Sequence, residues 1–205
     1  ACALELKPIP VLRAHLPKLI ELLKEKVNMG ILEPSNAPYS NRWFMVPKKN
    51  GSLRFIQDLQ PVNKVTIRNA GIGPSVDEFA EVFAGRSIYS IDDLYSGYDQ
   101  FQLAVDSRDI TTMRTLIGLV RMCTLPPGAT NSVAHMVRAM NNVLEDCIPS
   151  ITMPFLDDIP IKGCLDEEKD ESKDKDGCRQ FIVDHMKDCA KVLQRLEDAK
   201  LTFSG

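Results

Sequence analysis

The stretch ITMPFLDDIPIKG, residues 151–163, places two adjacent carboxylates inside an apolar run. Aspartate is a poor strand residue, and its charge is costly beside apolar side chains unless a cation offsets it. The runs ITMPFL and IPIKG are therefore predicted to be two strands that meet at Asp157 and Asp158. A hairpin tip would hold both acids on a rigid edge, where a divalent cation relieves their mutual repulsion.

The remaining elements follow in a mixed order, without a regular βαβ repeat. Apolar residues at helical spacing predict helices at residues 16–29, 130–146 and 179–199. Ser75 and Glu78 are spaced as a capping box, which predicts a further helix that ends at Gly85. Strands are predicted at residues 42–47, 53–58 and 87–91, and within residues 116–125, with the hairpin signal Asn50-Gly51 joining the first two. This order predicts an α+β fold around an antiparallel sheet.

Composition limits the class of protein. The 205 residues are 44% hydrophobic, which is enough for one core with a subdomain. The net charge is −3, but residues 42–68 carry six basic side chains against one acid, and residues 166–176 carry seven acids against three lysines. A polyanion partner fits this distribution without being required by it. The acidic run is predicted to be a solvated loop, because no frame of it fits a calcium-binding EF-hand.

Targeting and redox signals are few. Six cysteines form no CxxC pair and fit no zinc module, so a reduced intracellular setting is expected. No apolar run approaches the ~20 residues that span a bilayer, so no membrane partner is expected. The chain begins with alanine, which indicates a piece cut from a longer protein.

A further pair of acids, Asp92 and Asp93, ends the strand-like run SIYSIDD. Phosphate chemistry at a metal site usually needs a carboxylate from a second strand, and neighbouring strands in one sheet could bring these pairs together. The ligand type predicts Mg²⁺ or Mn²⁺. The alternative is that both pairs are ordinary turn and strand-end residues, because aspartate favours turns.

Four blocks, which occur in this order along nearly the whole chain, carry a resemblance to a known family. They are GILEPSNAPYSNRWFMVPKKNGSLRFIQDLQPVNKVTI, SIDDLYSGYDQ, LPPGATNSVAHMVRAMNNVL and PFLDDIPIKGC. The chain resembles the reverse transcriptase of LTR retrotransposons of the Ty3/gypsy type, in the fungal branch. The resemblance implies the fingers and palm of a right-hand polymerase, with an antiparallel palm sheet packed on helices and the thumb absent.

The resemblance also implies roles at the acids. Asp93, Asp157 and Asp158 match the family's catalytic aspartates, which hold two Mg²⁺ or Mn²⁺ ions with the Leu94 carbonyl as a further ligand. Asp92 stands where the family usually has an apolar residue and is not predicted to be a ligand. Phe155 replaces the tyrosine of the family's Y-x-D-D box.

Nucleotide contacts are carried over in the same way. Lys48, Lys49 and Arg54 would grip the triphosphate of the incoming nucleotide. Tyr98 would stack under its sugar and reject a 2′-hydroxyl. Pro127 and Gly128 match the loop that lines the nucleotide site.

The implied organisation runs along the chain in five parts. These are an N-terminal extension and helix (1–30), the first part of the fingers (31–84), the first part of the palm (85–110), a fingers–palm return (111–129) and the palm with its FLDD hairpin and C-terminal helix (130–205). The expected partners are an RNA or DNA template with its primer, deoxynucleoside triphosphates, and RNase H and integrase segments of a parent polyprotein in cytoplasmic virus-like particles.

Three functions remain open on the sequence. The first is an RNA-directed DNA polymerase core, a nucleotidyltransferase whose isolated fragment would be weak. The second is a retroelement-derived remnant that binds nucleic acid or protein without catalysis. The third is a two-metal nuclease, which would leave the basic hairpin residues unexplained.

Overall fold

The chain forms two compact units in the computed structural model. The first consists of residues 1–69 and 98–132, and the second of residues 70–97 and 133–205. The structure describes residues 16–47, 53–71, 73 and 75–204. Both units combine helices with antiparallel strands, as predicted for an α+β chain. No helix in these described ranges has the length and apolar character needed to cross a membrane.

The first unit contains a three-stranded sheet, a separate hairpin and short helices. Its elements are α1 (Leu16–Asn28), β1 (Leu32–Pro34), β2 (Arg42–Pro47), β3 (Leu53–Asp58), α2 (Gln60–Val65), α4 (Val105–Arg108), β5 (Met113–Thr115) and β6 (Gly118–Met122). The sheet order is β1-β6-β5, and β2 pairs with β3. Both strands of that hairpin begin and end where the sequence predicts, and the Arg42 guanidinium lies 2.9 Å from the Asp58 carboxylate at its open end.

The core of the first unit forms under helix α1, whose apolar residues recur at helical spacing. Leu19 and Leu23 are fully buried against the sheet, and Gly30, with a φ of 73°, ends the helix in the left-handed conformation that glycine tolerates. The Trp43 indole packs into this core and donates a hydrogen bond to the Arg114 carbonyl at 2.7 Å. The predicted amphipathic helix is therefore confirmed.

The second unit packs three helices around a small sheet. Its elements are α3 (Val76–Phe83), β4 (Tyr89–Leu94), α5 (Ser132–Val143, whose first residue belongs to the other unit), β7 (Asp158–Lys162), α6 (Gln180–Asp198) and β8 (Phe203–Ser204), with sheet order β7-β4-β8. Its fully buried side chains include Met136, Met140, Leu144, Ile159, Ile161, Val192 and Leu196. The Ser75 hydroxyl accepts a hydrogen bond from the Glu78 N–H at 3.1 Å, which confirms the predicted cap of α3.

The prediction that ITMPFL forms a strand up to Asp157 is wrong. Only isolated bridges occur there, between Thr152 and Ile161 and between Phe155 and Asp158. Pro154 lacks the N–H that a continuous ladder needs, so the pairing is interrupted. The turn consequently lies at Leu156 and Asp157, one residue earlier than predicted, and Asp158 is already the first residue of β7.

The ends of α5 and α6 are tied by ion pairs. The Asp146 carboxylate accepts two hydrogen bonds from the Arg195 guanidinium, at 3.1 and 2.6 Å, and lies 3.4 Å from the Lys191 ammonium. The Arg195 bonds are the main reason that the pKa of Asp146 falls to about 2. Such a bidentate pair fixes geometry as well as charge, so it sets the position of α6 against the chain that follows α5.

Gly163 follows β7 and lies very close to Ile88, the residue before β4. A Cβ at this position would lie 2.4 Å from Ile88 Cγ2 and 3.1 Å from the Ile88 carbonyl oxygen. We expect Gly163→Ala to lower the free energy of unfolding by about 1–3 kcal/mol, because the backbone must shift to accept the methyl group. Urea denaturation measures this change. Gly73→Ala is the matched control, since its Cβ meets only Val137 Cγ2 at 3.5 Å, and equal losses in both variants would contradict the assignment.

Candidate active site

The site is built on the antiparallel pairing of β4 with β7. Asp93 lies directly opposite Asp158, and the Leu94 N–H donates to the Asp157 carbonyl at 3.0 Å. Asp93 and Asp158 therefore form the pair that exchanges no backbone hydrogen bonds, where Cα atoms are about 4.5 Å apart and side chains share one face. Two of the three predicted catalytic acids thus come together although 65 residues separate them in sequence.

The third acid lies on the tight turn that leads into β7. Phe155 and Asp158 exchange backbone hydrogen bonds of 2.9 and 3.1 Å, which leaves Leu156 and Asp157 as the two turn residues. Leu156 has a φ of 61°, a left-handed conformation that is costly for a branched side chain. This strain lies at the residue that directly precedes Asp157.

Charge at this tip is poorly compensated. Asp93 and Asp158 are exposed, and no ion pair joins Asp93, Asp157 or Asp158 to a basic side chain in the described ranges. Partial desolvation of its carboxyl raises the pKa of Asp158 above its usual range even though the residue is largely exposed, and the charges of Asp157 and Asp93 raise it further. Because two neighbouring carboxylates influence this group, the acids are close enough to repel one another.

Asp92 lies on the other face of β4 from Asp93, since strand side chains alternate. It pairs with Ile159, which is fully buried, and burial alone raises the pKa of its carboxyl. Asp92 therefore lies on the opposite face of the strand pair from Asp93 and Asp158, as expected from a position where the family usually has an apolar residue.

The donor set suits a divalent cation in kind and charge. Carboxylate oxygens that repel one another and lack a basic partner are the ligands that Mg²⁺ and Mn²⁺ prefer. Within the described residues, no three His, Cys, Asp or Glu side chains converge as they stand on one point that could hold a metal ion. Asp93 and Asp158 lie on the β4–β7 strand pair, and Asp157 lies on the turn that leads into β7. The ligand roles predicted for Asp93, Leu94, Asp157 and Asp158 stay predictions.

Aromatic side chains anchor the turn to helix α3. The Phe155 ring meets the Phe79 ring edge-on, with centroids 5.6 Å apart, and Phe79 stacks on Phe83 at 4.7 Å. This contact uses only the ring of Phe155, so the hydroxyl of the family's tyrosine is not needed for it. Edge-on aromatic pairs contribute about 0.5–1.5 kcal/mol beyond the area they bury.

Gly97 is a site residue that the sequence did not single out. A Cβ there would lie 3.1 Å from the Asp157 Cβ, 3.1 Å from Met136 Cε and 3.3 Å from the Leu94 Cβ. The absence of a side chain lets the backbone after β4 approach the acidic turn closely. The motif Ser96-Gly97-Tyr98 is visible in the sequence, but nothing local indicates what the glycine faces.

The predicted nucleotide-binding residues lie in the first unit. Arg54 is exposed on β3, opposite Val46 of β2. Lys48 and Lys49 fall outside the described residues, and so does the Asn50-Gly51 turn. Tyr98 is half-buried in the 3₁₀ turn Gly97–Gln100.

The predicted nucleotide-lining loop precedes α5 and belongs to the same unit. Pro127 and Gly128 are exposed, whereas Pro126 before them is buried. Gly128 has a φ of 88°, which requires glycine at this point of the loop. The backbone of the loop is accessible to a ligand, and the binding roles of these residues stay predictions.

Asp158→Asn separates stability from metal binding. The raised pKa of Asp158 means that the folded chain holds this proton more tightly than the unfolded chain does. Stability therefore falls as the pH rises from the ordinary aspartate range through the folded pKa, and the loss remains at higher pH. We expect the variant to melt at a higher temperature than the wild type at pH 7 without metal. This difference should disappear below the ordinary aspartate range, where both states are protonated.

Excess Mn²⁺ should reverse the order of the two proteins. A metal ion bound only by the folded chain raises the melting temperature, and the variant lacks one of the predicted carboxylate ligands. Asp176→Asn, which makes the same change on an exposed loop residue, is the control and should keep the full gain. An equal gain in Asp158→Asn and wild type would contradict the metal assignment.

Comparisons with known proteins agree on one family. Residues 46–205 match the family described as "Reverse transcriptase (RNA-dependent DNA polymerase)". The Pol polyprotein of transposon 297 from Drosophila melanogaster is 28% identical over 95% of this chain, and that of transposon gypsy is 28% identical over 79%. The Tf2-3 polyprotein of Schizosaccharomyces pombe is 27% identical over 92% of it. Because both an insect and a yeast contribute relatives, the fungal placement stays a prediction.

The chain spans only part of these relatives, 17%, 16% and 13% of their lengths respectively. Among solved structures, the native prototype foamy virus protease-reverse transcriptase matches 98% of the chain with a TM-score of 0.82 and 20% identity, over 25% of its own length. The foamy viral enzyme in complex with RNA/DNA hybrid matches all of the chain with a TM-score of 0.81 and 19% identity, again over 25% of its own length. The predicted fingers-and-palm fold and the Ty3/gypsy relationship are confirmed, and the chain belongs to the reverse transcriptase family.

Proposed function

We propose that this chain is the polymerase core of a retrotransposon reverse transcriptase, which adds deoxynucleotides to a primer 3′-end by metal-assisted phosphoryl transfer. The observation that carries the proposal is the pairing of Asp93 with Asp158, with Asp157 on the adjoining turn. Family membership supports the reaction class. The foamy viral relatives in complex with double-stranded DNA and with RNA/DNA hybrid support a nucleic-acid substrate.

Asp93, Asp157 and Asp158 would hold the metal ions, with the Leu94 carbonyl as a further oxygen ligand. Two divalent ions supply a lowered pKa at the attacking hydroxyl and charge stabilisation at the leaving pyrophosphate. The protein's own part is to keep these oxygens in place before the reaction, through the β4–β7 pairing and the Phe155–Phe79 contact. Ligands held on strands need little reorganisation during the reaction.

The first unit would supply the nucleotide contacts. The Arg54 guanidinium is suited to a triphosphate because it presents several N–H donors in a fixed plane, and Lys48 and Lys49 would add charge from the same hairpin. Tyr98 would stack under the sugar, and the exposed backbone at Pro127 and Gly128 would face the nucleotide. In the parent polyprotein this core would work beside RNase H and integrase, in cytoplasmic particles.

A remnant that binds nucleic acid without catalysis is the second candidate. It is favoured by one observation, that no three ligand side chains among the described residues converge on one point. The two candidates differ in turnover, because both predict binding to a primer–template. Binding should fall steeply with salt in either case, since phosphate contacts release counterions.

Primer extension on an RNA template with Mg²⁺ or Mn²⁺ decides between these functions. We expect the wild type to incorporate deoxynucleotides and Asp157→Asn to lose at least about 100-fold in rate, because a carboxylate ligand of the reacting ions is removed. Asp176→Asn is the control and should keep the wild-type rate.

Equal incorporation by the wild type and Asp157→Asn would overturn the assignment of the metal site. Salt-sensitive binding without any incorporation would support the non-catalytic remnant. Measuring the same primer on a DNA template would show whether an RNA template is preferred.

Arg54→Ala tests the triphosphate contact separately from chemistry. We expect the KM for the deoxynucleoside triphosphate to rise about tenfold or more, because a charge-assisted hydrogen bond contributes roughly 1.5–3 kcal/mol. Steady-state extension at several nucleotide concentrations measures it. Arg68→Ala, which removes another exposed arginine from the same unit, is the control. An equal change in both variants would indicate a general charge effect and contradict a specific contact.

A further inference from the structure

Two asparagine side chains join the segment after β3 to the loop before α5. The Asn63 amide donates to the Gly128 carbonyl at 2.9 Å and accepts from the Thr130 N–H at 2.8 Å. The Asn131 side chain reaches in the opposite direction, from the loop before α5 to the segment after β3. It accepts from the Asn69 N–H at 2.8 Å and donates to the Ile67 carbonyl at 3.0 Å. We call this set of four bonds the asparagine clasp.

Both asparagine side chains of the clasp bond only to backbone N–H and carbonyl groups. Each asparagine uses one acceptor and one donor of its amide, so exchanging its oxygen and nitrogen would lose both bonds at once. The geometry is therefore specific for asparagine. Aspartate would keep the acceptor and lose the donor, and alanine would lose both.

The loop that the clasp holds also has bonds of its own. The Ala129 N–H donates to the Pro126 carbonyl at 3.2 Å, and the Ser132 hydroxyl donates to the same carbonyl at 2.9 Å. These bonds set the local shape of residues 126–132. They do not fix where the exposed Gly128 stands relative to α2, and the bonds of Asn63 to Gly128 and Thr130 do.

We infer that Asn63 is a positioning residue for nucleotide binding, which acts by holding the backbone of Gly128 and Thr130 in place. This inference rests on the proposed function, because it takes the loop at Pro127 and Gly128 to face the incoming nucleotide. Asn63 touches the loop and not the substrate, so its loss should weaken nucleotide affinity and leave the chemical step unaltered.

The test measures the loop and the nucleotide separately. Hydrogen exchange at the Thr130 amide reports the clasp directly, and the Kd of a deoxynucleoside triphosphate, measured on the chain bound to primer–template with Ca²⁺ to prevent turnover, reports the consequence. We expect Asn63→Ala to remove the protection of the Thr130 amide from hydrogen exchange. The Kd and the KM for the nucleotide should each rise about tenfold, and kcat should change less than twofold. Asn63→Asp should retain part of the protection, because it keeps the acceptor of the Thr130 N–H.

Asn142→Ala, at an exposed asparagine of α5 outside the clasp, is the control and should match the wild type in every readout. Unchanged exchange at Thr130 in Asn63→Ala would overturn the clasp. Lost protection with an unchanged Kd would overturn its positioning role. A wild type that binds nucleotide without extending the primer would overturn the polymerase function alone, whereas one that binds no nucleotide would overturn both.

Discussion

The register of β4 against β7 is the constraint on which the rest of the site depends. It sets Asp93 opposite Asp158, and the same register turns Leu94 inward, where it is 2% exposed. A slip of one residue would reverse the faces, so that Leu94 would become exposed and Asp93 would lie against the core. Burying Leu94 and Ile159 therefore selects the pairing that gathers the acids, although neither side chain takes part in the chemistry.

Magnitudes show why the chain tolerates charges that repel one another. Full burial of a side chain such as Ile159 or Ile161 stabilises the fold by roughly 1.5–3 kcal/mol each. Two exposed carboxylates about 4 Å apart repel by roughly 1 kcal/mol in water. The free energy gained by burying the apolar side chains of the strand pair exceeds the repulsion between its acids, so the acids need no basic partner to remain together. The repulsion that is left makes the site receptive to cations.

Local sequence signals predicted where helices and strands form better than they predicted which distant residues contact one another. The β2–β3 hairpin, the α3 cap and the amphipathic α1 each depend on residues close in sequence, and all three are confirmed. The strand predicted over ITMPFL is wrong because Pro154 interrupts its ladder, which moves the turn by one residue. That Asp93 and Asp158 share a face followed from resemblance to a family and not from spacing, since no local signal gives the register of strands 65 residues apart. Asn63 and Gly97 were missed because an isolated asparagine or glycine indicates only a turn.

The groups proposed to react and the groups that position them differ in burial and in type. Asp93 and Asp158 are exposed and Asp157 is half-buried, whereas Leu94 and Ile159 are buried. The positioning contacts end on backbone atoms or apolar surface, as at the Asp157 carbonyl and the Gly128 carbonyl. A change at an exposed acid therefore alters charge without removing packing, whereas a change at a buried neighbour alters geometry first. Activity lost together with stability then points to the supporting residues, and activity lost while stability is unchanged or raised points to the acids themselves.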